Sequence, residues 1–200
     1  MTNIGEYIAG AYYEIVNKIP LVLYNQQISY IFEENKIEFD GKRLDLNWNK
    51  SKLKKVFKDN EFDINRVEID VIALGDCRII AECTERNIEN RSIENIRHKL
   101  YGAIAYDALI GSDTNLTLEI WAPKASKAIK ASINDLEKEL IKIHKKTDCD
   151  QSKLSLKLIS DNIFDERIQE IIKISKSISA NKLSNPFFRT LQVLNKMKVI

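Results

Sequence analysis

The sequence predicts a mixed α/β domain, a central β-sheet flanked by α-helices, with a helix-rich basic part toward its end. Three observations carry this. Short runs that alternate apolar and polar residues recur among longer stretches with apolar residues every three or four positions, the periods of strand and helix. Asp40-Gly41 and Gly75-Asp76 are hairpin signals between β-rich runs and ask for antiparallel pairing. At 200 residues and 44% hydrophobic content, the chain has the size and apolar share of one ordinary globular domain. Residues 1–123 form its motif-bearing core, and residues 124–200 read as a basic, mostly helical extension of the same domain.

The first element is a helix over Asn3 to Val16, with Ile4, Ile8, Ala11, Tyr12 and Ile15 on one stripe and Pro20 stopping it. Gly5, Ala9 and Gly10 would let it pack closely. Leu21 to Tyr24 and Ser29 to Trp48 read as strands and hairpins, the Asp40-Gly41 turn lying between Ile37–Phe39 and Leu44–Leu46. Ser51 to Lys58 fits a short helix. Two β-rich runs follow within Val67 to Glu85, and then a helix over about Ser92 to Leu109 with Ile93, Ile96, Leu100, Ala103 and Ile104 on its stripe. Leu116 to Trp121 alternates as a strand. A helix from about Ala125 to His144 carries Ile129, Ile133, Leu136, Leu140 and Ile143, and Leu154, Leu156 and Leu158 mark a further strand. Asp161 is a candidate cap for a helix through Ile178, and Asn185-Pro186 a start for a last one to about Lys198.

No apolar stretch approaches the roughly 20 residues of a membrane span, and no basic-then-apolar leader follows Met1, so a cytoplasmic protein without membrane contact is expected. Cys77, Cys83 and Cys149 form no CxxC pair and are odd in number, which predicts reduced thiols and neither a zinc site nor a disulfide framework. The net charge of +2 hides an asymmetry. Residues 124–200 hold 16 Lys and Arg against 9 Asp and Glu; of the totals of 31 and 29, this leaves 15 against 20 in residues 1–123. An acidic first part and a basic second part can pair with each other, present separate surfaces to a cation and a polyanion, or be plain solvated helix faces.

The most informative stretch is VEIDVIALGDCRIIAECTE, Val67 to Glu85, because it sets Glu68, Asp70 and Glu82 among branched apolar residues. Strand side chains alternate faces, so whether Asp70 and Glu82 meet depends on loop parity. A two-residue Gly75-Asp76 turn puts the carboxylates on opposite faces. A three-residue loop, Gly75 to Cys77, sets Asp70 against Glu82 with Cβ atoms about 5 Å apart. Two carboxylates that close repel, and burying them costs several kcal/mol unless a cation or protons compensate. A hard divalent ion such as Mg²⁺, which takes oxygen ligands and keeps waters, answers that need. The alternative is a sheet with one solvated face on which the acids lie.

In order and spacing these residues resemble the PD-(D/E)xK nuclease superfamily, the restriction-endonuclease-like and archaeal Holliday-junction-resolvase-like fold: an early helix with GEYIAGAYYEIV, then EIDVIA, a short turn, RIIAECTE, a helix and another strand. The resemblance spans about Ile4 to Ala122. It implies that Asp70 and Glu82, with the Cys83 carbonyl, bind Mg²⁺ or Mn²⁺, and that Glu6 on the early helix joins them. It also implies metal-dependent hydrolysis of phosphodiester bonds in duplex or branched DNA, with a homodimer where two cuts are made. The chain departs from the pattern at Thr84, which stands where the family has a lysine, and a hydroxyl cannot supply that positive charge. Some members carry the basic group on the next helix, for which Lys99 is the first candidate, with Arg86 and Arg97 behind it. Arg97 to Tyr101 has the spacing of the glutamine and tyrosine of recombination-nuclease relatives, without the glutamine. Beyond Lys124, residues such as Lys127, Lys130 and Lys138 would contact phosphates.

Blander roles exist for each residue. Glu6 lies three residues after Asn3 and could close a capping box; Glu68 could be a surface acid, Cys83 a small buried apolar residue, His98 and His144 surface or satisfied core histidines. At the level of function, the alternatives are a nuclease fold that binds DNA after losing catalysis, and a protein-interaction subunit.

Overall fold

The structure, a computed structural model, describes residues 4–27, 36–39, 42–45, 68–110, 114–147 and 153–176. The expected helices at Ser51–Lys58 and after Asn185-Pro186, and Cys149, lie outside these residues. Strands β1 (Leu21–Gln27), β4 (Glu68–Leu74), β5 (Arg78–Cys83), β6 (Leu116–Trp121) and β7 (Leu154–Ile159) form one sheet in the order β1-β4-β5-β6-β7. Pairing is antiparallel from β1 through β5 and parallel from β5 through β7, so the sheet is mixed. Strands β2 (Lys36–Phe39) and β3 (Lys42–Asp45) pair antiparallel in a separate sheet with Phe39 opposite Lys42, the register that the Asp40-Gly41 signal predicts. Because β7 belongs to the central sheet, residues after Lys124 supply part of the core architecture.

Among the described residues, four helices cover the sheet: α1 (Ile4–Ala11), α2 (Ile93–Ile110), α3 (Lys127–Lys145) and α4 (Asn162–Ser175). α2 and α3 are the crossovers of the parallel pairs. Their apolar stripes, including Ile96, Leu100, Ile104, Leu136 and Leu140, pack with Ile72, Ile80, Leu118 and Ile120 on one face. α1 and α4 cover the other face over Val71, Ala73, Ile79, Ala81 and Cys83. The helix expected to run through Val16 is α-helical only to Ala11; Tyr12–Val16 winds as a π-helical turn. Tyr13 lies in the core there, donating to Glu119 Oε2 at 2.7 Å, and Trp121 Nε1 donates to the Tyr13 hydroxyl and to Glu119, each at 2.9 Å. The buried Glu119 carboxylate is thereby satisfied.

Gly10 shows what the small residues of α1 do. A Cβ built on it would overlap the ring of Tyr24, whose hydroxyl donates to Glu14 at 3.0 Å. Gly10→Ala should therefore destabilise the protein, overpacking of about 1–3 kcal/mol exceeding the ~1 kcal/mol gain in helix propensity. In a Tyr24→Ala background the same substitution should stabilise. Denaturant unfolding of the four proteins checks this, and equal effects in both backgrounds would remove the close-approach argument.

Asp161 departs from the sequence expectation. It precedes α4, which runs to Ser175, but with φ 54° it makes no side-chain capping bond. Its carboxylate is engaged by the Ser160 hydroxyl at 2.7 Å and Lys130 Nζ at 2.8 Å. His144 is a core histidine, its Nε2 lying 3.4 Å from the buried Asp107. No helix among the described residues is long and apolar enough to cross a membrane.

Candidate active site

The site is built by the β4–β5 hairpin. Leu74 lies opposite Arg78, so the loop is Gly75 to Cys77 and has three residues; Ala73, Ile72 and Val71 then face Ile79, Ile80 and Ala81. The two-residue turn is thus excluded, and the same register carries Asp70 and Glu82 to one face. The ladder ends at this step. Thr84 N–H donates to Trp121 O on β6 at 2.9 Å, so the preceding N–H, that of Cys83, points toward β4. There it meets the side chain of Asp70, whose Oδ2 accepts it at 2.8 Å. Asp70 caps β5 at the point where the two strands part.

Lys99 completes the cluster from the second turn of α2. Its ammonium lies 3.5 Å from both Asp70 oxygens and also donates to Glu82 Oε1. The side chains of Asp70 and Glu82 are 6% and 12% exposed and that of Lys99 is 40%, so the acids are sunk and the amine stands at the mouth. Burial, and then the neighbouring Asp70 charge, push the Glu82 carboxyl well above the usual range despite the opposing pull of Lys99. Burial alone would lower the Lys99 ammonium; the two carboxylates and their hydrogen bonds outweigh it and hold its pKa above the ordinary value. With both acids ionised the cluster is net negative, two charges against one.

Of the other sequence candidates, Glu6 is buried on α1, and its charge, after burial and the Asp70 and Glu82 charges, helps to raise the pKa of the Cys83 thiol. Cys83 is a buried free thiol. Glu68 is exposed. Thr84 accepts the Arg86 N–H on its hydroxyl at 3.1 Å, which shapes the loop after β5. Arg97 is paired with Glu94 and with Glu139, the latter at 3.1 Å. Among the three α3 lysines, Lys127 is exposed, Lys130 is paired with Asp161, and Lys138 meets Asp135 at 3.0 Å one turn away.

Glu82 and Lys99 also line a cleft of about 670 Å³, between the loop from Thr84 to Ser92 and the start of α2. Sequence reasoning missed its other walls, notably Asn87 and Asn95. The available signal was spacing, since Asn95 precedes Lys99 by four residues and shares its helix face. Comparison with protein-family models, curated proteins and solved structures finds no match to this chain.

Among the described residues no three His, Cys, Asp or Glu side chains gather at one point. The donor set where β4 and β5 part is different in kind: two carboxylates and the Cys83 carbonyl, which extended backbone carries to the same side as its N–H. All three donors are hard oxygens, and a cation would take over the part that Lys99 and the raised Glu82 carboxyl now play in offsetting the Asp70 charge. The residues present fit Mg²⁺ or Mn²⁺.

Proposed function

We propose that this protein is a metal-dependent deoxyribonuclease of the restriction-endonuclease-like type. The observation that carries the reading is the convergence of Asp70, Glu82 and Lys99 where β4 and β5 part. The resemblance to PD-(D/E)xK nucleases requires two acids in these strand positions and an amine beside them, and Lys99 brings from α2 the amine that Thr84 lacks. A solvated sheet face is disfavoured, because the acids are largely buried.

Asp70, Glu82 and the Cys83 carbonyl would hold the cation, which supplies Lewis-acid stabilisation of phosphate charge and a lowered pKa for a coordinated water. Lys99, half-buried at the mouth, would place its ammonium against the phosphate oxygens as negative charge grows there. Glu6 sits on α1, on the opposite face of the sheet beside Cys83, and would influence the site only from that side. Lys127 and its neighbours on α3 would add sequence-independent, salt-sensitive phosphate contacts. The test is to incubate the purified chain with plasmid, branched and single-stranded DNA, with Mn²⁺ or with chelator. Metal-dependent cleavage is expected; binding without cleavage would favour the DNA-binding relic, and neither would overturn the reading.

A further inference from the structure

The cleft beside the acids has a particular build. Its floor is apolar, with Ile88, Ile96 and Ile120 at 2%, 7% and 1% exposure. Its rim carries the amides of Asn87 and Asn95, the guanidinium of Arg86 and the Arg91–Glu89 ion pair, closed at 3.1 Å, all exposed. One end opens on Glu82 and Lys99. The wall formed by the loop is pinned: Ile88 N–H donates to Lys124 O at 2.8 Å, Ser126 N–H donates to Ile88 O at 3.0 Å, and Ser92 N–H donates to Glu89 O at 2.9 Å. The cleft is therefore preformed, which lowers the ordering cost of filling it.

From this shape we infer that the DNA strand enters with an unpaired nucleotide next to the scissile phosphate, its base seated in the cleft. The inference rests on the nuclease reading and deepens it. A volume of about 670 Å³ suits a single small-molecule-sized group. A base can enter a cleft of this size only by leaving the stack, so a paired base would stay outside it. An apolar floor takes the face of a base, while amides on the rim reach the hydrogen-bonding edge that only an unpaired base exposes. Arg86 meets the flanking phosphate, and Lys99 and the acids meet the phosphate to be cut. With Arg91 held by Glu89, the two amides are the neutral donors and acceptors left for a base edge, and that distinguishes this cleft from a backbone-only groove.

The full chain with Mn²⁺ is given three substrates of one length and sequence: a single strand, a fully paired duplex, and the duplex with one central unpaired nucleotide. The single strand and the interrupted duplex should be cut faster than the paired duplex, on the order of 10-fold or more, with the interrupted duplex cut beside the unpaired position. Asn95→Trp, which crowds the mouth from an exposed helix position, should bring that ratio toward one. Equal rates on paired and unpaired DNA, or a ratio unmoved by Asn95→Trp, would overturn the inference and leave the nuclease reading standing. No cleavage of any substrate would overturn both.

Discussion

Asp70→Asn should abolish metal-dependent cleavage while leaving the protein folded. The amide keeps an oxygen to accept the Cys83 N–H, now taken by Asp70 Oδ2 at 2.8 Å, but loses the charge and much of the affinity for a hard cation. Lys99→Ala tests a different component. It removes the ammonium shared by Asp70 and Glu82 and should lower the cleavage rate on the order of 10²-fold, the usual loss for a charge contact made in the transition state. Metal binding should survive, or tighten, because a competing cation is gone. Thr84→Lys should gain little if, as proposed, Lys99 serves the position. Rates at saturating Mn²⁺, with metal affinity by calorimetry and folding by circular dichroism, separate these outcomes. Full activity in both Asp70→Asn and Lys99→Ala would reject the proposed chemistry.

The largest stability effect is expected at the opposite end of β5. Arg78 and Asp107 are 3% and 0% exposed, and Arg78 Nε lies 3.0 Å from Asp107 Oδ1. Arg78 also donates to the Thr114 carbonyl at 3.0 Å. Arg78→Ala removes the guanidinium and leaves Asp107 buried beside His144 with its strongest partner gone, which should cost about 3–5 kcal/mol. Replacing both partners by apolar residues, Arg78→Met with Asp107→Leu, should recover most of that loss, because no uncompensated charge stays behind. Urea unfolding measures both; a loss below about 1 kcal/mol in Arg78→Ala would mean that water or another group relieves the charge.

The strands and helices were legible because each carries its period over a full element: Leu116–Trp121, the α2 stripe and the α3 stripe all fall where the residues put them. The site was legible only to a choice. Gly75-Asp76 suits a two-residue turn, and nothing in the alternation of the flanking residues favours Arg78 over Cys77 as the partner of Leu74. Tertiary packing of Ile72 and Ile80 under α2 sets that parity. Lys99 was nameable through the resemblance, in which some members carry the basic group on the helix after the motif strand. What stayed hidden was long-range competition: Asp161 is drawn from capping by Lys130, 31 positions earlier, and His144 finds Asp107, 37 positions away. Neither partner leaves a local mark.

The hydrogen bond from Cys83 to Asp70 also bears on how such a protein would drift. One carboxylate serves as proposed ligand and as the stop that finishes a buried strand, so a lineage released from selection for cutting would still be held to an oxygen at position 70. Position 99 carries no such architectural duty, its side chain being 40% open to solvent. Descendants that abandoned chemistry should therefore lose the amine first and retain the acid. Across relatives, an intact aspartate would testify to the fold, and the helix lysine to an enzyme still at work.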